Sequence, residues 1–365
     1  MSSKPPQPDP TLDYAALALQ IKDWGRQLGF QQVGIADTQL VQDEAYLLNW
    51  LDAGHHGEME YMQRHGTRRS RPQELVAGTV RVISVRMDYW PGEAQAADSV
   101  LQDPALAYLS RYALGRDYHK LLRKRLQQLA TRIETVTGPF GYRAFTDSAP
   151  VLEKALAQQA GLGWIGKHTN LINERQGSWF FLGELFTNLP LPLDQVATNH
   201  CGNCHSCIDI CPTQAIIAPY TLDARLCISY LTIELRGSIP EPLRALIGNR
   251  VYGCDDCQLV CPWNRFAESS NEDDFSPRHG LDGSDLVRLF GWSESDFTEN
   301  TRGSAIYRIG YTCWLRNLAV GLGNAPSSPV VITALQARQD HPAELVREHV
   351  AWALRQHGVS AQPTA

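Results

Sequence analysis

The sequence predicts a three-part chain. An α/β domain of the mixed α+β kind is expected over residues 11–195, a small ferredoxin-like domain over 196–266, and an all-α, HEAT-like region of stacked helices over 267–365. Residues 1–10 are polar and proline-rich and are expected to be disordered. Three observations carry this division. Short apolar runs alternate with amphipathic stretches up to about residue 195. Eight of the nine cysteines then crowd into residues 201–262. After residue 284 the apolar periodicity is helical only.

In the first part, residues 11–29 place Leu12, Ala15, Ala16, Leu19 and Leu28 near helical spacing, and Gly29 is a plausible stop. Residues 31–36 read as a strand and 41–51 as a helix. The polar loop 54–72 carries Arg64, Arg68, Arg69 and Arg71, which suit either a solvated loop or a clamp for phosphate or carboxylate. Residues 80–85 form a strand. Residues 116–136 form a strong helix with Leu122, Leu126, Leu129, Ile133 and Val136 on one face. Residues 143–146 are extended, 150–160 helical and 178–185 a strand. Asp147, in Thr146-Asp147-Ser148-Ala149-Pro150, has the composition of a helix N-cap. Gly161-x-Gly163-x-x-Gly166 matches a dinucleotide fingerprint by spacing, but it follows a helix where the fingerprint follows a strand.

The cysteine run is the most specific feature. Cys201-x2-Cys204-x2-Cys207-x3-Cys211-Pro212 is the bacterial ferredoxin spacing, in which the fourth cysteine ligates the other of two [4Fe–4S] clusters. Cys254-x2-Cys257-x3-Cys261-Pro262 repeats its second half, and Cys227 stands in for the missing member. The crossover rule assigns Cys201, Cys204, Cys207 and Cys261 to one cluster, and Cys211, Cys227, Cys254 and Cys257 to the other. Zinc is the rival, since it also takes four cysteines in Cys-x-x-Cys pairs. It has no use for a further cysteine three residues on, followed by proline, twice over. Structural thiols are the third reading.

In the third part, apolar segments at 306–322, 330–335 and 345–354 suggest stacked helices. Arg302, Arg308, Arg316, Arg338, Arg347 and Arg355 punctuate them, as a solvated face or as a stripe contacting phosphates. Cys313, apart from the rest, reads as a buried small hydrophobe.

A chain of 365 residues with 43% hydrophobic residues supports ordinary soluble cores, and a net charge of −6 gives no global pull toward nucleic acid. The most apolar stretch, 179–193, is interrupted by Glu184, Asn188 and two prolines and cannot span a bilayer. No secretory signal pattern is present, and nine cysteines in a chain of this size suggest thiolate ligands in a reducing compartment. A cytoplasmic location without membrane association is expected.

Six segments occur in order: Ser110-Arg111-Tyr112-Ala113-Leu114-Gly115-Arg116-Asp117-Tyr118-His119, Asp147-Ser148-Ala149-Pro150-Val151-Leu152-Glu153, Gly161-Leu162-Gly163-Trp164-Ile165-Gly166-Lys167, Phe181-Leu182-Gly183-Glu184, Tyr252-Gly253-Cys254-Asp255-Asp256-Cys257-Gln258 and Arg316-Asn317-Leu318-Ala319. With the cysteines they resemble the epoxyqueuosine reductase family, which acts in the last step of queuosine biosynthesis in tRNA. The resemblance covers nearly the whole chain. It implies a cobalamin held base-off between the α/β and cluster domains, reduced through two [4Fe–4S] clusters. Epoxyqueuosine in the anticodon stem-loop of a tRNA would be the substrate, an external electron donor a partner, and a monomer the working unit. The family's proton donor falls on Asp147, and an acid working near neutral pH needs its pKa raised by burial. Cofactor contacts are implied for Arg69, Ser110, Asp147, Lys167, Leu171, Leu182, Tyr230, Cys254 and Asp255. Asp117-x-His119 begins like a histidine-on cobalamin motif, but Leu122 stands where its glycine belongs, so His119 is read as a helix residue with no cobalt role. The competing classes are a reductive dehalogenase, a two-cluster electron carrier, and a tRNA-binding protein whose clusters are structural.

Overall fold

The structure, a computed structural model, describes residues 7–359. Four strands, β1 (Gln32–Ala36), β2 (Arg81–Asp88), β3 (Tyr142–Phe145) and β4 (Phe180–Thr187), form one sheet in the order β1-β2-β4-β3. Every pairing in it is antiparallel, so of the two labels it is α+β that describes this domain. The two-residue side-chain period of β2 sorts the layers. Ile83, Val85 and Met87 face helices α1 (Tyr14–Gln27) and α3 (Tyr118–Thr137), meeting Leu17, Ile21, Leu122, Leu126, Leu129 and Ile133. Val82 faces the other way and joins Phe145, Phe186 and Leu156 beneath α4 (Glu153–Gln159). The segment expected to be helical at 41–51 is α2 (Val41–Asp52).

Local chemistry sets the ends of these elements. Asp13 caps α1 by accepting from the Ala15 and Ala16 amides, and Asp117 caps α3 by accepting from the His119 amide. The glycine-rich run is no phosphate loop. Trp164–Ile165 and Leu171–Ile172 pair as a small antiparallel hairpin. A Cβ at Gly163 would run into the Ile172 carbonyl, so that glycine is explained by close backbone approach.

The helical region has α5 (Gly310–Asn324) at its centre, with α6 (Pro329–Gln336) and α7 (Glu344–Gln356) packed on it; eleven of the fifteen residues of α5 are buried. Cys313 is among them, as a small buried hydrophobe. This core does not stop at the expected boundary near residue 266. Leu109, Leu114, Ile228, Leu231, Ile247 and Val251 belong to the same apolar cluster as Trp314, Leu318 and Trp352. The chain between Cys227 and Cys254 thus makes an excursion into the helical core, which explains the long gap before the second cysteine run. A parallel bridge between Tyr108–Leu109 and Arg250–Tyr252 ties the first domain to that excursion.

Gly253 closes the excursion at φ +70°, and its amide donates to Thr232 Oγ1 over 2.9 Å. A Cβ there would sit 2.6 Å from that of Ser110. Gly253→Ala is therefore expected to lower stability by about 1–3 kcal/mol through strain and overpacking, read as a lower midpoint in thermal unfolding.

Candidate functional site

The eight clustered thiols fall into two groups. Cys201, Cys204, Cys207 and Cys261 line one cavity of about 300 Å3, together with Trp263 and Phe266. Cys204 is exposed, while Cys207 and Cys261 are buried. Burial, then the neighbouring Cys261, Cys201 and Cys204 thiolates, push the Cys207 thiol up to about 11. In the second group, burial and then Cys227 raise Cys257 well above the usual thiol range, with Cys211 also in reach. Cys254 is raised by burial and then by Asp256. Such mutual repulsion is relieved when the thiolates ligate a cationic centre.

A second cavity, of about 290 Å3, opens between the sheet and the second thiol group. Tyr89, Tyr112, Phe181, Leu171 and Leu182 form its apolar wall, and Ser110, Lys154, Asn170 and Asp255 are among its polar lining. Asp255 is wholly enclosed. It accepts from Tyr108 Oη (2.8 Å), Ser110 Oγ (2.6 Å) and the Arg111 amide (2.8 Å), which fixes the cluster loop against the first domain.

Beside this cleft stands Asp147. It does not cap α4, whose N-cap is Leu152 and which starts at Glu153. Asp147 has φ 53°, a left-handed conformation costly for a non-glycine residue and often tied to function. Its amide donates to Glu153 Oε1 over 2.6 Å, which holds the turn. Its Oδ2 accepts from Tyr118 Oη (2.8 Å) and faces His119 Nε2 at 3.0 Å. Tyr118 stacks on Phe181 of β4, with centroids 3.7 Å apart, and His119 stacks on Tyr118 at 4.3 Å. The ring column positions the carboxylate from the centre of the sheet. His119 Nδ1 lies 2.6 Å from Asp117 Oδ1, and Arg308 donates to Asp117 Oδ2 over 2.7 Å.

The expected raised pKa of Asp147 is not found. Burial acts upward, but the His119 imidazole and the Tyr118 hydroxyl outweigh it and hold the carboxyl below its ordinary value. Half of the side chain's surface, 51%, is open to solvent, while protein groups ring it. Behind it, Glu153 and Glu184 are raised by burial and then by the carboxylate next to each, and they contact one another.

A family model described as "Epoxyqueuosine reductase QueG, DUF1730" matches residues 69–148, and one described as "4Fe-4S double cluster binding domain" matches residues 200–264. The epoxyqueuosine reductase of Pseudomonas aeruginosa is 65% identical over 352 residues, covering 96% of this chain and 96% of its own. The chain belongs to the epoxyqueuosine reductase family. The Escherichia coli member is 58% identical over 94% of this chain and 90% of its own. Among solved family structures, one with an epoxyqueuosine-modified tRNA-Tyr stem loop aligns with a TM-score of 0.85 at 25% identity, covering 94% of this chain and 90% of that one. The Streptococcus thermophilus enzyme aligns at 0.82 with 27% identity, covering 95% and 91%.

The site residues named from the family resemblance are distributed unevenly. Ser110, Leu171, Leu182, Cys254 and Asp255 line the cleft. Lys167 does not: its Nζ donates to the Gly202 and Cys204 carbonyls (2.7 and 2.8 Å), so it braces the first thiol loop. Tyr230 does not line it either, since its hydroxyl accepts from the Glu58 amide over 2.8 Å and supports the 57–58 turn. Arg69 is buried and donates to the Tyr61 carbonyl over 2.8 Å, with its Nε unpartnered. Of the loop arginines, Arg71 is engaged by Glu44 and Glu74 rather than free to clamp an anion. Three members of the arginine stripe are engaged within the protein. Arg316 is wholly buried, Arg338 donates to the Phe290 and Trp292 carbonyls, and Arg347 donates to those of His341 and Pro342. Tyr118, His119, Lys154 and Glu184 were not singled out as site residues by sequence reasoning, and Arg308 only as a member of the arginine stripe. The only local signal was three consecutive polar residues, Asp117-Tyr118-His119, opening a helix with an apolar face.

The cleft suits a corrinoid by its chemistry. Aromatic and aliphatic side chains offer a flat apolar wall, and serine, asparagine and lysine groups offer partners for peripheral amides. No helix among the described residues is long and apolar enough to cross a membrane.

Proposed function

We propose that this chain reduces epoxyqueuosine in the anticodon loop of tRNA to queuosine, with Asp147 protonating the departing oxygen. The observation that carries the reading is a fixed carboxylate beside a cleft of apolar and amide-binding side chains, backed by two groups of four thiols, in a chain 65% identical to an epoxyqueuosine reductase. The residues lining the cleft would hold a base-off cobalamin, which when bound would supply two-electron reducing power for the epoxide. The chain does the rest. Cys201, Cys204, Cys207 and Cys261 hold the [4Fe–4S] cluster nearer the surface, where exposed Cys204 marks the entry from an external donor. Cys211, Cys227, Cys254 and Cys257 hold the cluster beside the cleft. Ser110, Leu171 and Leu182 pack against the cofactor. The helices after residue 284, read as a HEAT-like array, receive the tRNA stem, and the modified base must leave its stack to reach Asp147.

Anaerobic purification with cobalamin supplied is expected to give about eight irons and one cobalt per chain. The loaded enzyme with a reductant should then convert epoxyqueuosine-containing tRNA to queuosine-containing tRNA. Turnover without cobalt, or iron-loaded protein that takes up no corrinoid, would overturn the reading. The crossover assignment has its own test. Cys204→Ala and Cys261→Ala should each lose one cluster, and the double variant should lose no more, leaving about four irons. Iron near zero in the double variant would place these cysteines on different clusters.

A further inference from the structure

Removing the epoxide oxygen as water while leaving an alkene consumes two electrons and two protons. One proton goes to the oxygen as the first C–O bond opens, and the second converts the resulting hydroxyl into departing water as the other C–O bond breaks. The electron pair comes through the reduced cofactor. A single carboxyl carries one proton at a time, so Asp147 must be reloaded within each turnover. This rests on Asp147 being the acid that faces the epoxide.

Next to Asp147 the structure holds an imidazole between two carboxylates. His119 Nε2 is 3.0 Å from Asp147 Oδ2 and Nδ1 is 2.6 Å from Asp117 Oδ1. A neutral ring could donate to only one of them, whereas an imidazolium donates to both. The ring is pinned from both sides, stacked on Tyr118 and fixed by the Asp117 cap, with Arg308 holding the far oxygen of Asp117. We propose that His119 is the proton reservoir of this site: it holds one proton between Asp117 and Asp147, passes it to Asp147 for each delivery and is reprotonated from solvent between the two, so that one carboxylate serves both proton deliveries. His119 acts through Asp147, not on the substrate.

The surrounding charges agree with this placement. Burial disfavours the imidazolium, but Asp117 and Asp147 outweigh it and raise His119 to about 8. Arg308, whose Nη2 is 2.9 Å from Nδ1, opposes the charge and is itself drawn to Asp117. Tyr118 donates to Asp147, and Tyr61, Tyr112, Glu234, Glu153 and Glu184 lie within electrostatic reach of that carboxylate, as Tyr252 does of Asp117. A group raised to about 8 carries its proton below that pH and loses it above, so turnover should fall as pH rises through about 8.

The test uses cluster- and cobalamin-loaded enzyme with epoxyqueuosine-containing tRNA. His119→Gln is expected to cut turnover by about 10²-fold or more with unchanged metal content, and to abolish the alkaline limb. Asp117→Asn keeps a good N-cap residue but removes one anion from the ring, so it should shift that limb to lower pH. An activity-independent reading comes from 15N NMR of the His119 ring in cobalamin-free protein. Its titration midpoint should lie near 8 and fall in Asp147→Asn. A wild-type pH profile in both His119→Gln and Asp117→Asn, or a His119 midpoint that ignores Asp147→Asn, would overturn the proposal while leaving Asp147 as the acid. Normal turnover in Asp147→Asn would instead remove the reading beneath it.

Discussion

Asp147→Asn is expected to lose about 10²–10⁴-fold in turnover while keeping its clusters, its cobalamin and its affinity for tRNA. The substitution preserves size. The amide oxygen still accepts from Tyr118 and His119, so the turn fixed by the Glu153 carboxylate has no reason to open. What it removes is the ability to hand over a proton. Water can replace part of that function, because half of the Asp147 side chain is open to solvent, so a residual rate should persist. Single-turnover rates at matched iron and cobalt content are the measurement that isolates the effect, since they exclude slow product release. A rate within experimental error of wild type would dismiss Asp147 as the acid. A large loss accompanied by loss of cobalt would make it a residue of the binding site instead.

The elements of the first domain were legible in the sequence because each shows a single period to its neighbours. The strands at 31–36, 80–85, 143–146 and 178–185 and the helix at 116–136 all appear within a few residues of their expected ends. The gathering of thiols was legible for a different reason: the spacing of Cys201 to Cys211 is itself a record of geometry. Partnerships across the chain were not. His119 meets Asp147 from 28 residues away and Arg308 from 189, and nothing in a local window marks either pairing. A histidine two places into a helix reads as surface or core until the opposing turn is seen. The same blindness affected the boundary at residue 266, where an expected domain edge proved to be shared core. It also affected the arginines. Spacing places them on helices, but only packing tells that α5 is the central helix, so that one of its cations is sealed inside.

That buried cation carries the other large expected effect, on stability rather than turnover. Arg316 is fully enclosed, and burial lowers its pKa to about 10, which leaves it charged at neutral pH. Its guanidinium donates to the Leu231, Leu235 and Gly237 carbonyls over 2.7–2.8 Å and to Asn317 Oδ1. Asn317 in turn donates to the Thr232 and Val251 carbonyls. These acceptors lie in the excursion between Cys227 and Cys254, near whose start a short π-helical turn, Tyr230–Glu234, leaves carbonyls without regular partners. Arg316→Met keeps the bulk and removes five donors, stranding three backbone carbonyls at about 1–3 kcal/mol each. A loss of about 3 kcal/mol or more is expected, seen as a lower unfolding midpoint. Arg316→Lys should recover little, because one ammonium cannot reach the fork of carbonyls that the planar guanidinium spans. On the proposed cluster assignment the two ends of the excursion deliver Cys227 and Cys254 to the same cluster, so the damage should extend to the metal. Iron should leave Arg316→Met faster than wild type under chelator, stopping near four per chain as the second cluster goes and the first stays. Equal loss from both clusters would mean that the excursion supports the whole cysteine region; no loss, with an unchanged midpoint, would mean that the carbonyls find other partners and that Arg316 does not hold the excursion in place.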